Sequence, residues 1–199
     1  KKPLAKEITK DGTKPYPLVK NFSSTEEDIS IDKKGLDKMF RALCTAAEQG
    51  ACMHKGPLKR VLKDEPRAFM SDRTAPTELL VLDIDGLRAT PGDDLQAMAD
   101  RIVLQLPDIF HDCSYIVQAS ASLGIKKDTV SLHLFFLMDM PVHPKTLKDY
   151  LRSLNYECEF LAEQITLSAN GQSLSCVLDP SVADNSKLIY IAPPKFTGV

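Results

Sequence analysis

From residue 76 onward the apolar positions follow one period after another. Glu78–Asp85 (ELLVLDID) is a continuous apolar run closed by acids, which predicts a buried strand. Gly92–Leu106 (GDDLQAMADRIVLQL) places Leu95, Met98, Ile102, Val103 and Leu106 on one helical face, and Pro107 stops it. Ser114–Ser120 (SYIVQAS) alternates as a strand, and Gly124–Asp128 (GIKKD) makes a polar turn. Val130–Met138 (VSLHLFFLM) then alternates again, so residues 114–138 predict a hairpin. His143–Asn155 returns to helical spacing through Leu147, Tyr150, Leu151 and Leu154. Ser173–Leu178 and Leu188–Ile191 predict two short closing strands.

The first part of the chain is less regular. Residues 1–30 carry prolines and turn clusters without a sustained period and predict an extended arm and loops. From Asp32, the residues Leu36, Met39, Phe40, Leu43, Ala46 and Ala47 recur at helical spacing, with Gly50 in the C-terminal cap position. Pro57 and Pro66 break Lys55–Arg73 into a strand or turn followed by a short helix. The chain therefore divides into an N-terminal arm and variable α/β lobe, residues 1–75, and a second region, residues 76–199. Its order after residue 76, β-α-β-β-α-β, predicts an α+β fold. That is the split βαβ arrangement of an RNA-recognition-motif-like palm: a mixed, mostly antiparallel sheet with helices on one face.

Composition narrows the class. The 199 residues are 43% hydrophobic and 26% charged with a net charge of −2, which excludes a disordered chain. No apolar run approaches the roughly 18–20 residues of a membrane span. Five cysteines, an odd number without a CxxC pair, argue against a disulfide scaffold and for a reducing, cytoplasmic setting. The opening KKPLAKEITK has neither a secretory h-region nor an initiating Met, so the chain reads as part of a longer protein. Charge is uneven: residues 1–75 hold sixteen Lys/Arg against eleven Asp/Glu, and residues 76–199 hold nine against sixteen. An acidic protein with a basic segment such as Lys55–Arg73 can still bind phosphate, because binding needs only a local basic surface.

Asp83 and Asp85 are the first candidate chemistry. Residues i and i+2 of a strand share a face, so both carboxylates project together at the end of a central strand. Two like charges that close call for a cation, and hard oxygen donors suit Mg²⁺ or Mn²⁺. On the second long strand, alternation puts Ser131 and His133 on one face and Leu132 and Leu134 on the other. A histidine there suits contact with a phosphate chain. Asp179, closing the apolar CVLD, is a third acid at a strand end. Taken singly, each has a plain structural reading as a solvated strand end, a satisfied histidine or a turn-starting Asp-Pro.

As a set, Leu79–Asp85 (LLVLDID), Ser131-Leu132-His133 and Val177-Leu178-Asp179 resemble the archaeo-eukaryotic primase, or primase-polymerase, superfamily. The order of the three motifs, and their separations of about 50 residues, also resemble that family. The resemblance covers roughly residues 76–192. It implies a palm holding two metals on Asp83, Asp85 and Asp179, with His133 and Ser131 on the phosphates of an incoming nucleotide. It further implies a DNA primase that makes short primers on a single-stranded DNA template from nucleoside triphosphates. Lys126, Lys127 and Lys187, with Lys55, Arg60, Arg67 and Arg73, are candidate triphosphate contacts. SKLIYIAPPKF supplies Lys187 and Tyr190 where many members carry basic residues, and Cys52-x-His54 and His111-x-Cys113 lack structural zinc spacing.

Two other readings stand beside it. LLVLDIDG also looks like the opening motif of a haloacid dehalogenase-type phosphatase, with Asp83 as nucleophile and Asp85 as acid/base. There the motif would fall near the start of the chain, Thr or Val would stand at Leu87, and parallel βα units would follow. A non-catalytic nucleic-acid-binding replication module would use exposed aromatics, whereas this strand exposes two acids. The expectation is thus a metal-dependent nucleotidyltransferase of a phage or plasmid replication protein in a bacterial cell or phage-infected host. A helicase or template-binding domain is expected elsewhere in a longer chain, and no membrane partner.

Overall fold

The computed structural model describes residues 3–125 and 128–198. In chain order the elements are β1 (Glu7–Thr9), β2 (Gly12–Lys14), α1 (Lys33–Glu48), β3 (Cys52–His54), β4 (Thr77–Arg88), α2 (Leu95–Val103), β5 (Ile116–Ala119), β6 (Thr129–Val142), α3 (Pro144–Glu157), α4 (Glu159–Ala162), β7 (Thr166–Leu167), β8 (Leu174–Ser175), β9 (Leu188–Tyr190) and β10 (Lys195–Thr197). The fold is α+β with antiparallel and mixed sheets. No described helix is long and apolar enough to cross a membrane.

The helix starts follow the chain's own capping chemistry. Asp32 accepts from the Gly35 N–H at the start of α1, and Asp94 accepts from the Ala97 N–H at the start of α2. His143 accepts from the Lys145 N–H ahead of Pro144, which fills the first position of α3 without wasting a donor. After α1 the chain turns at Gly50, whose φ of +67° is left-handed. A Cβ there would stand 2.3 Å from the Pro3 Cβ, so both conformation and space require glycine.

Around these helices the longest strands form the order β4-β6-β5, antiparallel throughout. Leu80, Leu82 and Ile84 of β4 pair with Phe136, Leu134 and Leu132 of β6 on one face. They join Ile102 and Val103 of α2 and Leu147, Leu151 and Leu154 of α3 in a single apolar cluster. The opposite face alternates Val81, Asp83 and Asp85 against Phe135, His133 and Ser131. Val81 and Phe135 are fully buried, while Asp83 is part-exposed and Asp85 exposed at the acidic end. Gly86 makes a β-bulge there: its φ is +82°, and the register slips by one residue between Asp85 and Leu87.

The closing strands differ from the sequence expectation. Ser173–Leu178 is not one strand: Leu174–Ser175 pairs with Thr166–Leu167 in a separate small hairpin, and Leu178 alone bridges Ile84. Two backbone bonds flank that bridge, Asp85 N–H to Val177 O at 3.0 Å and Asp179 N–H to Asp83 O at 2.9 Å. Strand β9 leaves β4-β6-β5 and pairs with β3, while β10 runs parallel to β1. The expected short helix after Pro66 is a set of turns. Segments from residues 1–75 thus supply strand partners to β9 and β10, across the division expected at residue 75.

Candidate functional site

Antiparallel register brings the candidate residues of β4 and β6 opposite one another. Asp83 pairs with His133, and Asp85 pairs with Ser131. His133 Nε2 lies 3.3 Å from Asp83 Oδ1, and the Ser131 hydroxyl donates to Asp85 Oδ1 at 2.6 Å. Within the bulge, the Gly86 N–H donates to Ser131 Oγ at 3.3 Å, which fixes the hydroxyl that fixes Asp85.

Gln118 of β5, opposite His133 in register, extends the row. Its amide N–H groups donate to Ala119 O and Ile191 O at 3.0 and 3.1 Å, so its Oε1 is the atom turned toward the imidazole. His133 Nδ1 therefore donates to Gln118 Oε1, at 2.6 Å. Nε2 is left facing Asp83 Oδ1. With 7% of the His133 side chain exposed against 25% of Asp83, the imidazole is walled in and the carboxylate reaches outward.

Asp179 reaches the same strip through its backbone bond to Asp83. Its own segment is held by Asn155 of α3, which is completely buried. The Asn155 amide donates to Leu178 O at 2.9 Å and accepts from the Leu178 N–H at 3.3 Å. One side chain thus does for Leu178 what a neighbouring strand would do. The Asp179 carboxylate accepts from the Ser181 N–H and hydroxyl and from Lys187 Nζ, the last at 2.9 Å. Burial works to raise its pKa, but the Ser181 and Lys187 hydrogen bonds together outweigh that and hold it below the usual aspartate value.

Tyr16 comes from the arm, far away in sequence. Its ring stacks on Tyr190 of β9 with centroids 3.7 Å apart and planes 10° from parallel. Burial, then the negative charge of Tyr190, Asp83 and Asp85, pushes its hydroxyl up to about 12.

The expected basic contacts scatter. Lys187 is in the site, as Asp179's partner. Lys126 and Lys127 lie outside the described residues. Lys55 is buried with its ammonium on Thr77 Oγ1, and Arg60 is paired with Glu65. Arg67 and Arg73 line a cavity beside Tyr190.

A divalent cation fits part of this set. Asp83 and Asp85 each keep one carboxylate oxygen without a hydrogen bond among the described residues, on the face where hard donors are wanted. Both Asp179 oxygens are engaged, Oδ1 by the Ser181 N–H and Oδ2 by the Ser181 hydroxyl and Lys187. Among the described residues no three His, Cys, Asp or Glu side chains converge as a ready-made metal cluster.

Gln118, Asn155, Ser181 and Tyr16 escaped the sequence reading. Only Gln118 carried a signal, as a polar residue in an otherwise apolar strand. No family model, curated protein or solved structure matches the chain.

Proposed function

We propose that this chain is the catalytic domain of a DNA primase or primase-polymerase, joining nucleoside triphosphates on a single-stranded DNA template. One observation carries the reading: the register that sets Asp83 against His133 and Asp85 against Ser131, with Asp179 bonded to the Asp83 backbone. A β5-β6-β4 sheet with Leu178 bridging its outer strand is consistent with an RNA-recognition-motif-like palm. A phosphatase reading draws less support, because β4 has antiparallel neighbours on both sides and no parallel βα series follows.

In this reading Asp83, Asp85 and Asp179 would hold Mg²⁺ or Mn²⁺. Bound there, the ions would supply acidification of a 3′-hydroxyl and charge stabilisation of the departing pyrophosphate. The chain's own residues do the positioning. Ser131 aims Asp85, while Gln118 orients His133 so that Nε2 faces the acids and any phosphate oxygen beside them. Asn155 and Ser181 fix Asp179. Lys187 balances its charge, and its ammonium would be available to a phosphate beside a cation held on Asp179. Held donors of this kind act without reorganising during the reaction, which is where most electrostatic catalysis comes from.

Labelled nucleotides supplied with unprimed single-stranded DNA and Mn²⁺ or Mg²⁺ test the reading. Short products in wild type that vanish in Asp83→Ala are expected. Phosphate release from a generic phosphoester that depends on Asp83, without products, would replace this function with a phosphatase.

A further inference from the structure

A cavity of about 420 Å³ lies against Tyr190, between residues 17–22, 66–73 and 186–190. Lys20, Arg67 and Arg73 line it, and no acidic side chain does. None of the three forms an ion pair with a described residue. Arg67 is pre-oriented: Nη1 donates to Ser186 O at 2.6 Å, and its guanidinium lies over the Phe22 ring at 5.6 Å. Its other N–H groups remain for a ligand. Three uncompensated cations converging in one concavity select a compact anion of several charges. The volume suits one nucleotide and not a strand.

The cavity also has a fixed relation to the acids. Its wall, Tyr190, stacks on Tyr16 of the arm. Its Ser186 precedes Lys187, the partner of Asp179. A triphosphate here would sit beside the acidic strip and not on it. Unprimed synthesis joins two nucleotides. One is attacked at its α-phosphorus and loses pyrophosphate; the other supplies the 3′-hydroxyl, gives up that proton, and keeps its 5′-triphosphate.

We propose that the Lys20–Arg67–Arg73 cavity binds the 5′-triphosphate of the initiating nucleotide, an inference that rests on the primase reading. It makes this chain its own initiation site.

The test compares unprimed synthesis with extension of a primer bearing a 5′-hydroxyl, in wild type and Lys20→Ala/Arg73→Ala. Both side chains are exposed and hold no hydrogen bond among the described residues, and Lys10→Ala/Arg41→Ala removes equal charge elsewhere. The ratio of unprimed to primed synthesis should fall roughly tenfold or more in the cavity variant alone, the scale of lost charge-assisted hydrogen bonds. An equal fall in both activities would overturn the proposal, assigning the cations to template or incoming nucleotide. So would an unchanged ratio. Inorganic tripolyphosphate binding without metal reads the cavity separately. Binding weakened only in the cavity variant establishes the cavity as a polyphosphate site; if no synthesis is found as well, the primase reading and the initiating-nucleotide assignment fall together, and binding unchanged in that variant overturns the proposal by itself.

Discussion

Lys55 shows how one buried side chain sets a measurable property. It is 4% exposed, its ammonium bonds only Thr77 Oγ1, and burial pushes it down to about 8 from a usual 10.5. Between those values the unfolded chain holds more protons than the folded one, so stability rises with pH from about 8 to 10.5 and the cost is present in full below 8. That cost is on the order of 3 kcal/mol. Lys55→Met is expected to stabilise the protein at pH 7 by roughly 1–3 kcal/mol, after the lost Thr77 bond is counted. Urea denaturation at pH 7 and 9.5 should show wild type gaining stability relative to the variant. Parallel pH dependence of the two would refute the buried-charge account. At this scale the sequence was informative where alternation alone fixes a face: Asp83 with Asp85, and Ser131 with His133. It offered Lys55 as a candidate triphosphate contact and gave no sign that the fold buries its ammonium against Thr77 Oγ1.

Among the elements, the Val177–Asp179 segment is the one most dependent on a single residue. Asn155 saturates both backbone groups of Leu178, and both are buried. Asn155→Leu would leave them without partners, at a cost of about 2–4 kcal/mol. The expected result is a lower urea midpoint together with faster amide exchange at Leu178 and Asp179; normal exchange there would mean another group holds the segment. Strands β4, β5 and β6 and helices α1, α2 and α3 were legible because each is long enough to show its period. Of the closing strands, Leu188–Ile191 was legible as β9 but its pairing with β3 was not, and Ser173–Leu178 was not legible at all. Two or three residues carry no period, and their partners, Asn155 for Leu178 and β3 for β9, are remote in sequence. Gln118 and Tyr16 were hidden for the same reason: their roles exist only once β5 lies beside β6 and the arm lies on β9.

On the scale of the whole molecule, the two ends of the chain are interleaved. β1 pairs with β10 and β3 with β9, Arg67 bonds Ser186, and the Asn185 amide donates to Asp72 O and Ala75 O. Removal of residues 1–75 would strip those partners and uncover apolar surface around Ile189. A single unfolding transition is therefore expected, coincident by far-ultraviolet circular dichroism and by tyrosine fluorescence, there being no tryptophan. Two separated transitions would show that residues 1–75 fold as an independent unit. The interleaving also brings the basic N-terminal residues to the acidic sheet, so an overall charge of −2 conceals a cationic cavity beside a carboxylate strip.

The central claim is that Asp83, Asp85, Asp179 and His133 form one centre for nucleotidyl transfer. Its most direct measurement is the ratio of pyrophosphate released to nucleotide incorporated on single-stranded DNA, in wild type, Asp83→Asn and Asp179→Asn. One pyrophosphate per nucleotide is predicted in wild type, with both signals falling by roughly a hundredfold or more in either folded variant. Orthophosphate in place of pyrophosphate, or full incorporation by Asp179→Asn, would contradict it.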